Sequence, residues 1–136
     1  MTHSLNLSIL PGAFAICRLD ADAPIPSWVT TRDFVSITRT RDELSIVCVQ
    51  RDVPDGVQGE RGWRALRVET KLDFALTGIL ASLAAPLADA GISIFAISTF
   101  DTDYLLVKET DLPRVVQVLS AAGHKINWTL TNTDKH

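Results

Sequence analysis

Two short stretches of this chain carry side chains suited to holding a small polar molecule. In the first, Asp73, Thr77 and Gly78 stand where an apolar stripe of helical spacing begins. The first N–H groups of a helix have no partner inside it and attract a carboxylate. Gly78 has no Cβ, so a guest could touch the backbone there. The same residues read equally well as a loose N-cap with a packing glycine. The second stretch is 98–103, Ser-Thr-Phe-Asp-Thr-Asp. Asp101 and Asp103 could accept an ammonium group, Thr99 could give or accept a hydrogen bond, and Phe100 could wall a pocket. The competing reading is a solvated hairpin turn, in which Asp and Thr are ordinary residues.

Other chemistry finds no constellation. No Gly-x-Ser-x-Gly elbow, phosphate-binding loop or Gly-x-Gly-x-x-Gly run is present, so no catalytic residue is assigned and the chain is not expected to be an enzyme. A Mg²⁺ or Ca²⁺ site would need more oxygen ligands than the 98–103 turn offers. Cys17 and Cys48 sit in apolar runs without a Cys-x-x-Cys or a Cys/His cluster, which argues against zinc and for buried free thiols, with a disulfide or a reactive thiol as the alternative. His3, His124 and His136 lie far apart. No metal and no cofactor is expected. Arg39, Arg41 and Arg51 read as a wet surface rather than an anion clamp.

The 136 residues suffice for one compact domain or two very small ones, and 46% hydrophobic content supports a proper core. A net charge of -3 gives no electrostatic footprint for nucleic acid. No apolar run reaches membrane-spanning length, and the N-terminus lacks the features of a signal peptide. A soluble protein of a reducing cytoplasm is the expectation, with no nucleic-acid or membrane partner.

The elements that must position these residues follow from the patterning. Leu5, Leu7 and Ile9 alternate as in a strand, Pro11-Gly12 signals a turn, and 13–19 is a second strand, so a hairpin is expected. Two strands, 34–39 and 44–50, flank a link of hairpin length. Residues 51–62 are Gly-rich and read as the boundary between halves. Beyond it come a strand at 63–69 and a helix from Leu76 to Ala90 with Pro86 inside it. The strand pair 92–98 and 104–108 follows, then a helix capped by Asp111, and a last strand at 125–129. The order β-α-β-β-α-β predicts a ferredoxin-like sheet covered on one face by two helices. Aligned without gaps at an offset of sixty, the hairpin at 35–47 lies over that at 95–107, and a worn-down repeat is inferred.

The residues Asp73-x4-Gly78-Ile79-Leu80-Ala81-Ser82-Leu83, then Pro86-Leu87-Ala88-x2-Gly91-Ile92-Ser93-Ile94, resemble the ACT domain, a small regulatory module. Ser98-Thr99-Phe100-Asp101-Thr102-Asp103-Tyr104-Leu105-Leu106-Val107 is similar to the branch of that family holding the cytosolic arginine sensors of animals and small bacterial tandem-ACT proteins. The resemblance implies an α+β fold of two ferredoxin-like units, the first truncated, with antiparallel sheets and helices on one face. Residues 1–61 would form the degenerate unit, 62–130 the ACT domain and 131–136 a tail. It also implies an amino acid held where the units meet, against Gly78, Ile79, Thr99, Phe100 and Asp103, with backbone from Ser45 and Ile46. Leu76-Thr77 stands where those sensors carry an acidic residue and a Cys. One negative charge is missing, so arginine and a smaller or neutral amino acid both remain open. The expected protein is a non-catalytic amino-acid-binding regulator acting through a homodimer or a regulated partner. The alternative is a ligand-free assembly module.

Overall fold

A computed structural model describes residues 4–29, 34–69 and 78–128 of the chain. The fold is α+β. It divides into two units: a larger one of 1–11 with 64–136, and a smaller one of 12–63.

The larger unit holds β1 (Asn6–Ile9), the second half of β5 (Gly59–Val68), α1 (Ile79–Asp89), β6 (Ile94–Ser98), β7 (Asp103–Lys108), α2 (Leu112–Ala121) and β8 (Lys125–Trp128). From β5 onward this is the expected β-α-β-β-α-β order. The strands lie in the order β6-β7-β5-β1-β8. One strand departs from expectation. β1 does not pair with β2 in a hairpin. It runs antiparallel to β5, with Leu7 opposite Val68, and parallel to β8, with Leu7 opposite Ile126. The four-stranded sheet of the sequence reading thereby gains a fifth strand between its first and last members. Leu7 and Ile9 are fully buried, and this position buries them against the helices.

Both helices pack on one face. Leu83 and Leu87 of α1 and Val115 and Leu119 of α2 share a core with Leu66, Val68, Leu105 and Val107. Asp111 stands at the N-cap of α2 as expected, but its side chain caps nothing and pairs with Arg114 at 3.5 Å.

The smaller unit holds β2 (Phe14–Leu19), β3 (Ser36–Arg39), β4 (Leu44–Val49) and the first half of β5. Their order, β3-β4-β2-β5, is that of a ferredoxin-like sheet. Among the described residues no α-helix covers it. A turn closed by Val29 N–H to Pro26 C=O stands in the place of the first helix, and a 3-10 turn at Gln50–Asp52 in that of the second. Loop side chains substitute for them: Ala23, Trp28, Val29 and Val57 pack on a core of Ala15, Cys17, Leu44, Ile46, Cys48 and Val53. Arg39 is not a bare surface cation. Its guanidinium donates to the carbonyls of Ala21 and Ala23 and ties that loop to β3.

Candidate functional site

Gly78 precedes α1 as its N-cap, with φ 78° in the left-handed region. Its carbonyl accepts the Ser82 N–H at 2.9 Å, so the helix starts cleanly behind it. Ile79 is the first helical residue. Its side chain is buried in the core, so what it can show a guest is its N–H. Asp73 and Thr77 lie outside the described residues.

The turn 99–102 is closed by Thr99. Its N–H donates to the Thr102 carbonyl at 2.8 Å, and its hydroxyl donates to the same oxygen at 3.1 Å and accepts the Thr102 N–H. The Thr99 hydroxyl is thus engaged inside the turn. Phe100 is 78% exposed and Asp101 is exposed. The Thr102 hydroxyl is buried and donates to the Val68 carbonyl at 2.7 Å. That bond fixes the turn to the end of the unit where β5 finishes.

Asp103 behaves differently from Asp101. It opens β7, is 8% exposed, and accepts a hydrogen bond from Ser98 Oγ at 2.6 Å, directly across the β6–β7 pair. It shares a sheet face with Leu105 and Val107, the face that carries the helices. Ser98 as its orienting partner is a residue the sequence reading did not assign. The signal was the ordinary one of positions facing each other across a four-residue link.

The two hairpins make the position of Asp103 informative. Arg39 pairs with Leu44 in the smaller unit as Ser98 pairs with Asp103 in the larger. Thr40 closes the first turn with the bond Thr99 makes in the second. The hydrogen-bonded repeat therefore runs at an offset of fifty-nine, not sixty. A shift of one residue exchanges the two faces of a strand. In the corrected register Leu44, Ile46 and Cys48 match Asp103, Leu105 and Val107, all of them buried. Leu44 fills a core where the larger unit has an acid.

Ser45 and Ile46 lie on β4, between β2 and β3, and are paired on both sides. The Ile46 side chain is fully buried and Ser45 is half-buried, so a guest would meet the Ser45 hydroxyl rather than open backbone. An open cavity of about 370 Å³ lies on α1, lined by Ala81, Ser82, Ala85, Pro86, Asp89, Ala122 and His124. None of the predicted residues lines it. Among the described residues no group of three or more His, Cys, Asp or Glu side chains could hold a metal ion, and no helix is long and apolar enough to cross a membrane.

Residues 58–121 match the family model of the ACT domain, and residues 12–56 match a separate model of an N-terminal domain. The crystal structure of protein Atu0741 from Agrobacterium tumefaciens superposes with a TM-score of 0.90 at 42% identity, over 94% of this chain and 96% of that one. Human putative protein CASTOR3P is 33% identical over 101 residues, 65% of this chain and 62% of its own length. The human cytosolic arginine sensor for mTORC1 subunit 1 is 35% identical over 108 residues, 73% of this chain but only 32% of its own length. The chain therefore spans less than two thirds of each of these two human relatives.

Proposed function

The chain belongs to the ACT domain family, and from that premise we propose that it is a non-catalytic regulatory protein that binds a free amino acid. In this reading 62–130 is the ligand-bearing ACT domain, and 1–61, apart from the β1 strand that joins the larger unit's sheet, is a degenerate copy of the same unit. The guest's carboxylate lies on the N–H groups that open α1, at Gly78 and Ile79, and Thr77 and Asp73, just before them in sequence, are assigned to the same site. Its ammonium lies on Asp103. Thr99 and Phe100 flank it from the turn, and Ser45 and Ile46 close it from the other unit. Binding biases how the two units, or two copies of the chain, pack, and a partner protein reads the change. The protein works in the cytoplasm.

One observation carries this reading: the exchange of Leu44 for Asp103 between equivalent positions of two similar hairpins. Burying a carboxylate costs free energy unless it is well paired. The smaller unit shows that the hairpin itself does not need the acid. Among the described residues its one hydrogen-bond donor is Ser98. A carboxylate accepts about four hydrogen bonds, which leaves capacity for an ammonium. The arginine sensor is named for its ligand; by the resemblance drawn from the sequence, Leu76-Thr77 here replaces an acidic residue and a Cys, which leaves a guanidinium one carboxylate fewer.

Isothermal titration against the twenty amino acids tests the proposal. Heat is expected with at least one of them at millimolar ligand, and the fitted affinity should fall about 10–100-fold in Asp103→Asn. Silence with all twenty would turn the reading over to the ligand-free assembly module. One observation favours that second reading. β6 pairs only with β7 among the described residues, and its sequence, Ile-Phe-Ala-Ile-Ser, carries no charge to discourage another strand. A homodimer unchanged by every metabolite would be its signature.

A further inference from the structure

The smaller unit contains a second piece of chemistry that amino-acid binding does not use. Cys17 on β2 and Cys48 on β4 are 2% and 1% exposed and belong to one core. Ala15 lies opposite Cys48 and Cys17 opposite Ile46, so the two cysteines are diagonal neighbours on the same face of adjacent antiparallel strands. Each thiol shifts the titration of the other, Cys17 downward and Cys48 upward. We propose that Cys17 and Cys48 are a modification site, a dithiol that a low-molecular-weight disulfide of the glutathione class oxidises reversibly to an intramolecular cystine.

The step balances as two exchanges. The Cys17 thiolate attacks one sulfur of oxidised glutathione, forms a mixed disulfide and expels a glutathione thiolate. The Cys48 thiolate then attacks the Cys17 sulfur and expels the second glutathione. Two electrons pass from the protein to the oxidant, and two protons leave the protein thiols. Cys17 is the attacking member. The hydrogen bond from Cys48 lowers it to about 7, burial opposes this, and the Arg61 charge adds to the lowering. Cys48 is raised, first by donating to Cys17, then by burial and by the nearby Cys17 and Asp52 charges.

Two physical features set the behaviour. Diagonal positions on paired strands are about 7–8 Å apart, slightly beyond the span a disulfide bridges without backbone movement. The strands must shift to close the bond, which makes it a labile disulfide rather than a permanent one. Access comes from opening of the unit. Both sulfurs are buried, so the reagent reaches them only when the strands around them open locally.

The test incubates the folded, full-length protein with graded ratios of oxidised to reduced glutathione, quenches with acid, and maps thiols by mass spectrometry. Both thiols should disappear together in a single chain, yield a cross-linked peptide containing Cys17 and Cys48, and return with excess reduced glutathione. Cys48→Ser should retain glutathione on Cys17, and Cys17→Ser should stay unmodified over the same time. The proposal is overturned if the native wild type keeps both thiols, if the bond forms only between chains, or if both serine variants are glutathionylated equally. Should a serine variant fail to fold, the wild-type peptide map still decides.

Discussion

His124 Nε2 donates to the carbonyl of Ser82 at 3.0 Å, the carbonyl four residues before Pro86. Proline has no N–H, so that carbonyl loses its helical partner, and α1 runs through Pro86 regardless. The histidine replaces the missing donor from outside the helix. Its Nδ1 accepts the Leu5 N–H at 3.1 Å, which fixes the tautomer with hydrogen on Nε2. Gly123, at φ 99°, ends α2 and delivers His124 to this place, with the His124 N–H returning to the Leu119 carbonyl. One buried ring thus links the residue before β1, the middle of α1 and the end of α2.

Replacing His124 by alanine should therefore cost about 2 kcal/mol, because a buried N–H and a part-buried carbonyl lose their partners at once. Pro86→Ala restores an N–H that can reach Ser82. In the Pro86→Ala background the cost of His124→Ala should fall by about 1 kcal/mol. Urea unfolding of the four proteins measures the coupling. Strict additivity would show that the histidine does not serve the carbonyl that proline strands.

Asp103 is buried and bonded to Ser98, so its removal has two separable effects. Asp103→Ala strands the Ser98 hydroxyl and should lower stability by about 1–2 kcal/mol. Asp103→Asn keeps the shape and an acceptor. Its stability should change little, while affinity for an ammonium-bearing guest should drop about 10–100-fold, the worth of a charged hydrogen bond. Calorimetric titration and thermal melts on both variants separate the terms. Unchanged affinity in Asp103→Asn would remove this residue from the site.

How much of this was legible depends on whether the signal is local. The stripe through Leu83, Leu87, Val115 and Leu119 repeats at helical spacing, and both helices appear where it falls. The alternation of Leu5, Leu7 and Ile9 identified a strand but not its neighbour, and Pro11-Gly12 suggested a hairpin with β2. Its partners, β5 and β8, are distant in sequence, and alternation carries no information about them. The repeat was visible, but its register was off by one, since similar side chains align well enough in either frame. The Thr40 and Thr99 turn bonds decide the frame, and they show that Asp103 occupies a core position rather than the tip of a bend. Pro86 did announce a stranded carbonyl; nothing near His124 in the sequence announced the donor.

Gly78 adopts φ 78° at the mouth of α1. An alanine there must enter the left-handed region at a cost of about 1–2 kcal/mol, and its methyl stands where a guest would touch backbone. Gly78→Ala should lower the urea midpoint by that amount and weaken amino-acid binding further than the stability loss explains. Full affinity with reduced stability would confine the glycine to shaping the helix start.

The thiol pair predicts a pH profile whose sign can be worked out. Cys17 is lowered in the folded chain from 9.0 to about 7, mainly by the hydrogen bond from Cys48. Between those values the unfolded chain holds the proton that the folded chain has released, so stability rises with pH. This contribution is fully present above 9 and is lost as pH falls through about 7. Cys48 is raised, mainly by its bond to Cys17, and acts in the opposite sense. Above pH 9 the unfolded thiol ionises while the folded one does not, and stability falls. The pair therefore contributes a maximum near pH 9. Urea midpoints for the wild type from pH 6 to 10, compared with Cys17→Ser, should show a rise and fall in the first and a flat profile between 7 and 9 in the second. Parallel curves would mean that the two sulfurs do not share a proton.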